Sequence, residues 1–128
     1  MPLVIVTVRE ESFPETYCWA LQECVTLAFR AAGWGAEPSA QKVVRLPPAE
    51  FIYHPGANPD GSAVDIPNFV LIEVLLGRPK SPAEKKAFWS ELRASVEARL
   101  RIKEPDLVLR FVELRKEDLY YSRESPPL

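Results

Sequence analysis

The sequence is poor in the residues that bind metals or form disulfides: it contains one histidine and two cysteines. Cys18 and Cys24 are six residues apart on a predicted helix, a rise of about 9 Å, which is too far for a disulfide. Neither cysteine has a plausible metal partner, because the only histidine is His54, which is most simply a solvated turn residue. We therefore expect two core thiols and no metal site.

The sequence also lacks a strong charge and a long apolar run. Its net charge is −2 at pH 7, which provides no general attraction to nucleic acid or anionic membranes. No apolar run approaches the roughly 18 residues of a membrane-spanning helix, and no signal-peptide pattern is present. We expect a soluble, cytoplasmic protein without nucleic-acid or membrane partners. Its 128 residues predict a single domain with an ordinary core.

The most informative residue present is Pro2, which follows Met1 and opens an apolar segment at residues 3–8. A small second residue normally allows removal of the initiator methionine, which would leave a proline with a free secondary amine. A free α-amino group has a reference pKa of about 8, and burial or nearby cations lower the pKa of such an amine. We therefore expect Pro2 to act as a base. If Met1 is retained, Pro2 is an inert amide.

The chain contains two copies of a strand–helix–strand pattern, offset by 66 to 68 residues. Residues 4–8 correspond to residues 70–74, and residues 43–53 correspond to residues 111–121. Each predicted helix begins with a serine at the N-cap, Ser12 or Ser81, and a proline in the first turn. The pattern predicts a first unit at about 2–53, a connecting loop at about 54–67, a second unit at about 68–122 and a tail at 123–128.

Apolar spacing predicts helices at about 13–32, ending at Gly33, and at about 82–102, with Trp89 beside the apolar stripe as a packing residue. The first strand of each copy barely alternates between apolar and polar residues, which is typical of strands covered on both faces. Two helices can cover only one face of a four-stranded sheet. We therefore expect the other face to pack against further copies of the chain.

The chain from Pro2 to about Ser122 resembles the tautomerase superfamily, and the most specific piece of the resemblance is the segment Phe69–Lys86. The resemblance is to the fused members of the malonate semialdehyde decarboxylase and cis-3-chloroacrylic acid dehalogenase groups. It implies an α+β fold of two tandem β-α-β units, with a four-stranded mixed sheet and two helices on one face. It also implies a homotrimer, a small carboxylate-bearing substrate and no cofactor.

The resemblance assigns roles to individual residues. Pro2 matches the catalytic proline, Arg78 matches the first arginine of a carboxylate-binding Arg-Pro-Arg pattern, and Lys80 stands in place of the second. Pro38 occupies the position of an aspartate found in the decarboxylase-like members, with Glu37 beside it as a possible substitute. The tryptophan and phenylalanine of the decarboxylase's final segment correspond to Leu119 and Tyr121, so the resemblance implies a different pocket wall here.

These roles favour keto–enol tautomerisation of a small 2-oxo acid, with Pro2 as general base. Lys80 would then stabilise negative charge on the carbonyl oxygen. Two alternatives remain open. A Pro2 amine that stays protonated would be a general acid for decarboxylation or hydration of a three-carbon acid. The β-α-β-β-α-β order also fits ferredoxin-like domains, and a chain that retains Met1 would be a non-catalytic binding or structural protein.

Overall fold

The structure is a computed structural model that describes residues 2–35, 38, 40–52, 56–62, 66–100 and 106–118. Its main elements are β1 (Leu3–Arg9), α1 (Glu15–Ala32), β2 (Ala40–Leu46), β3 (Val70–Leu76), α2 (Pro82–Leu100) and β4 (Leu107–Glu113). A short 3-10 turn follows the second strand of each copy, at Pro48–Glu50 and Lys116–Asp118. The chain is therefore built from two β-α-β copies, as the repeat predicts.

The four strands form one mixed sheet in the order β2-β1-β3-β4. β1 is parallel to β2 and β3 is parallel to β4, whereas β1 and β3 pair antiparallel at the centre. The two parallel strands of each copy are direct neighbours. A ferredoxin-like domain is a split β-α-β arrangement, in which another strand separates them. The topology therefore excludes the ferredoxin-like alternative.

The two helices begin differently, although the sequence predicts a serine N-cap for both. At α2, Ser81 Oγ accepts the backbone N–H of Glu84, and the backbone N–H of Ser81 donates to Glu84 Oε1, both at 3.1 Å. This reciprocal pair is a capping box. At α1 the N-cap is Pro14, without a side-chain cap, so the prediction for Ser12 is wrong. Phe13 is fully buried and its carbonyl accepts a hydrogen bond from Arg45 at 2.8 Å, so the helix starts only at Glu15.

The hydrophobic core lies between the helices and one face of the sheet. Alternate side chains of the two central strands are fully buried there, namely Val4, Val6, Val8, Val70, Ile72 and Val74. Cys18 and Cys24 are buried free thiols, as predicted, and burial raises the pKa of the Cys24 thiol to about 11. Trp89 packs against this core.

The opposite face of the sheet has no helix on it. It carries the other alternate residues of the central strands, including Leu3, Ile5, Leu71 and Leu75, which are half-buried. On β4, Val108 is 37% exposed. The prediction that the helices cover a single face is confirmed. Nothing in the described ranges covers the second face, so the burial on both faces that the apolar strands predicted is not reached within one chain.

Candidate active site

Strand register places Pro2 and the loop that carries Arg78 and Lys80 at one end of the sheet. Leu3 of β1 pairs with Ala40 at the start of β2 and with Leu75 near the end of β3. The end of β3 in turn pairs with the end of β4, through Leu76 and Glu113. Pro2 therefore lies beside the end of β3, where residues 77–81 turn towards α2. We call this end of the sheet the proline end, and residues 77–81 the cationic loop.

Pro2 is partly buried at the start of β1. The next residue, Leu3, is paired on both sides, because β1 is a central strand. A group at the start of such a strand is held in place by the sheet's hydrogen bonds. The proline end therefore provides the fixed position that a catalytic amine requires.

Arg78 is exposed in the cationic loop. Among the described residues it has no hydrogen bond or ion pair to a side chain. A guanidinium group in this state can present two parallel N–H groups to a carboxylate. Arg78 is therefore available to bind an anion at the proline end.

Lys80 is more constrained than Arg78, because its side chain has a partner. Its ammonium group lies over the Trp34 ring, 5.6 Å from the ring centroid. The lysine side chain is thus directed to the start of α2 and the residues that follow α1.

Sequence reasoning missed Trp34 and Glu84 as parts of this site. Trp34 Nε1 donates to Glu84 Oε2 at 2.7 Å. The hydrogen bond from the backbone N–H of Ser81, followed by that from Trp34, lowers the pKa of Glu84 below its ordinary value of 4.5. The Ser81-Pro82-Ala83-Glu84 run is a recognisable capping-box signature, but nothing local in the sequence connects it to Trp34.

Several predicted site residues lie outside the described part of the chain. These are Glu37, Leu119 and Tyr121, together with His54 and Met1. Pro38 is described and is buried just before β2, at the proline end. Strand register therefore places Pro2 and the cationic loop at the same end of the sheet, and contacts among the predicted site residues stay predictions.

Three other kinds of feature would indicate a different site within the described ranges: a surface groove, a cluster of metal ligands and a membrane-spanning helix. An open groove of about 630 Å³ follows the outer surface of α1 and includes Trp19, Arg30 and Gln41, but none of the predicted site residues. Within the described ranges, no three His, Cys, Asp or Glu side chains are grouped as metal ligands. Neither described helix is long and apolar enough to cross a membrane.

The fold matches solved structures over almost its whole length. Malonate semialdehyde decarboxylase aligns with a TM-score of 0.73 at 20% identity, over 96% of this chain and 92% of that chain. A fused 4-OT trimer aligns with a TM-score of 0.68 at 15% identity, over 96% and 94% of the two chains. A member of the cis-3-chloroacrylic acid dehalogenase family gives 0.67 at 13% identity, over 98% and 83%.

These structures share the tautomerase-superfamily fold, and the present chain has that fold. No protein-family model matches the sequence, and no curated protein matches it. The likeness is thus carried by the three-dimensional arrangement of two β-α-β units rather than by shared residues.

Proposed function

We propose that the protein is a tautomerase in which Pro2, freed by removal of Met1, is the general base for keto–enol conversion of a small 2-oxo acid. The observation that carries this proposal is the register of β1 against β3, in which Leu3 pairs with Leu75. That pairing sets the start of β1 next to a loop with two cations, Arg78 and Lys80.

The proposed reaction is a proton transfer that requires no cofactor. In the keto-to-enol direction, the Pro2 nitrogen takes a proton from the carbon next to the carbonyl, and the C–H electron pair forms the new double bond. The carbonyl oxygen gains negative charge and then a proton, and the reverse sequence restores the ketone. Lys80 would stabilise the charge on that oxygen, and Arg78 would hold the substrate carboxylate.

A second candidate activity is decarboxylation or hydration of a three-carbon acid. The observation that favours it is the likeness to malonate semialdehyde decarboxylase, whose reported activities are decarboxylase and hydratase. In this case Pro2 would remain protonated and act as a general acid. Activity with malonate semialdehyde, and none with phenylpyruvate, would select this candidate over the tautomerase.

The first experiment compares the same chain with and without Met1. Met1-retaining protein, produced while methionine aminopeptidase is inhibited, should fold but not tautomerise phenylpyruvate. Treatment with purified aminopeptidase should remove one methionine, as shown by intact mass, and raise the rate at least about a hundredfold.

Two controls complete this experiment. Mock-treated protein should stay inactive, and circular dichroism should be the same before and after treatment. Full activity in protein whose intact mass includes Met1 would contradict the proposal, because an amide nitrogen is not a base. An inactive protein with a free Pro2 would also contradict it.

We further propose that the active form is a homotrimer assembled through the helix-free face of the sheet. On that face the apolar residues Leu3, Ile5, Leu71 and Leu75 are half-buried, and Glu73 forms an ion pair with Arg110. One of the structures with the same fold is described as an asymmetric trimer. Burial of such a face against further copies is the usual way to remove a large apolar patch from water.

Light scattering tests the assembly. It should give a mass about three times the 14.5 kDa of one chain. Ile5→Lys on the helix-free face should dissociate the trimer, because a charge would be buried in the interface. The matched control is Trp19→Lys on α1, where the side chain is 60% exposed, and this variant should remain trimeric. A wild-type mass of one chain at micromolar concentration would refute the trimer.

A further inference from the structure

Trp34 is held rigidly by the core beside the proline end. Its ring stacks on Phe88 with a centroid distance of 5.2 Å. It also makes edge contacts with Phe29 at 5.7 Å and Phe111 at 5.8 Å. These contacts come from α1, α2 and β4, so the indole position follows from the packing of three elements. A group that lies against this ring is therefore placed relative to the whole domain.

The indole N–H connects this aromatic cluster to the cationic loop. Glu84 accepts the indole N–H with Oε2 at 2.7 Å and the backbone N–H of Ser81 with Oε1 at 3.1 Å. One carboxylate thus bridges the Trp34 side chain and the last residue of the loop. Because hydrogen bonds to a charged acceptor are short and strong, this bridge fixes the distance between the ring and the loop.

Lys80 is held against this frame by its side chain, whose ammonium group lies 5.6 Å from the centre of the indole ring. A free lysine side chain carries about 2 kcal/mol of rotamer entropy, part of which is lost when it orders around a ligand. A side chain that is already ordered before binding avoids most of that loss.

We propose that Trp34 is a positioning residue for Lys80. Its ring face holds the ammonium group where a small substrate with a carboxylate and a neighbouring oxyanion meets a second positive charge beside Arg78. Trp34 acts through Lys80 and does not itself contact the substrate. This role rests on the proposed function, because Lys80 is the group that would stabilise the developing charge.

A double-mutant cycle tests this role with Trp34→Leu, Trp34→Phe and Lys80→Met. Loss of the ring face in Trp34→Leu should lower kcat/KM for phenylpyruvate about three- to tenfold, the range of a cation–π contact. Trp34→Phe keeps a ring face and should recover most of this loss. In the Lys80→Met background, Trp34→Leu should change kcat/KM less than about twofold, because the group it positions is gone.

Malonate, a small unreactive dicarboxylate, gives a readout that does not depend on catalysis. Its dissociation constant, measured by NMR titration, should rise for Trp34→Leu when Lys80 is present and stay unchanged when Lys80 is methionine. The ε-methylene protons of Lys80 should be shifted upfield by the indole ring in wild-type protein and lose that shift in Trp34→Leu.

The outcomes separate the two proposals. Equal losses of malonate affinity with and without Lys80 would overturn the positioning role, since Trp34 would then act only through stability. Absence of the upfield shift in wild-type protein would overturn it as well, even if Trp34→Leu does not fold. A wild-type protein that binds malonate but does not tautomerise phenylpyruvate would refute the proposed function, and the malonate cycle would still decide the role of Trp34.

Discussion

Each β-α-β copy has a corner where its first strand turns into its helix, and the two corners use their charges differently. In the first corner, residues 10–14, the cations bind the corner itself. Arg45 donates from Nε to the Phe13 carbonyl at 2.8 Å and from Nη2 to the Glu10 carbonyl at 3.3 Å. Arg9, which is buried just before the corner, pairs with Glu11.

In the second corner, the cationic loop, a carboxylate performs that structural task. Glu84 accepts the backbone N–H of Ser81 at 3.1 Å. Arg78 has no side-chain partner within the described residues. A corner closed by a carboxylate leaves its cations available to a ligand, whereas a corner closed by an arginine side chain does not.

The largest expected difference between the corners is in catalysis. Arg78→Ala should lower kcat/KM for phenylpyruvate about ten- to a hundredfold, because a charge-assisted pair with the substrate carboxylate contributes roughly 1.5–3 kcal/mol. Arg45→Ala, the matched variant in the first corner, should stay within about twofold of wild type. Steady-state kinetics on both variants checks this, and comparable losses would remove the functional distinction between the corners.

The expected effect on stability is smaller, and here the first corner loses more than the second. Arg45→Ala should lower the free energy of unfolding by about 1 kcal/mol, because two backbone carbonyls of the first corner lose their donor. Arg78→Ala should change it by less than about 0.5 kcal/mol, as is usual for an exposed side chain without partners. Urea unfolding at one fixed protein concentration measures both. A larger loss for Arg78→Ala would assign that residue a structural role.

The smallest effect is a pH dependence that belongs to the second corner. The backbone N–H of Ser81 and the Trp34 indole lower the pKa of Glu84, and the Lys85 hydrogen bond lowers the pKa of Glu113, both from 4.5. A carboxylate with a lowered pKa in the folded state stabilises the fold at pH values above its unfolded pKa. That contribution is lost as the pH falls through the folded pKa. Stability should therefore decline below about pH 4.5.

Glu84→Gln should flatten part of this decline, and the matched control Glu97→Gln, on the exposed surface of α2, should leave it unchanged. An NMR titration of the Glu84 carboxyl should give a midpoint below 4.5, moving upward in Trp34→Phe, which lacks the indole donor. A wild-type midpoint at or above 4.5 would show that the bridge between Trp34 and the cationic loop does not form in solution.

Much of this architecture could be predicted from the sequence. Periodic apolar residues and Gly33 located both helices to within two or three residues, and the repeat predicted two strand–helix–strand units. The failure at Ser12 has a long-range cause: Phe13 is buried and its carbonyl accepts a hydrogen bond from Arg45, which is 32 residues away. A serine N-cap signal in the sequence therefore fails when a distant side chain binds the backbone carbonyl that the first helical turn would use.

The helices, the strands and the charges at their ends follow from the sequence alone, because apolar periodicity, caps and turns act over a few neighbouring residues. Arg78 and Lys80 in the second corner are part of that local information. Two features follow only from the folded chain: Pro2 lies at the same end of the sheet as this corner, and Trp34 donates to Glu84, 50 residues further along the chain. Strand register determines the first feature, and the packing of α1 against α2 determines the second. Both depend on residues that are far apart in the sequence.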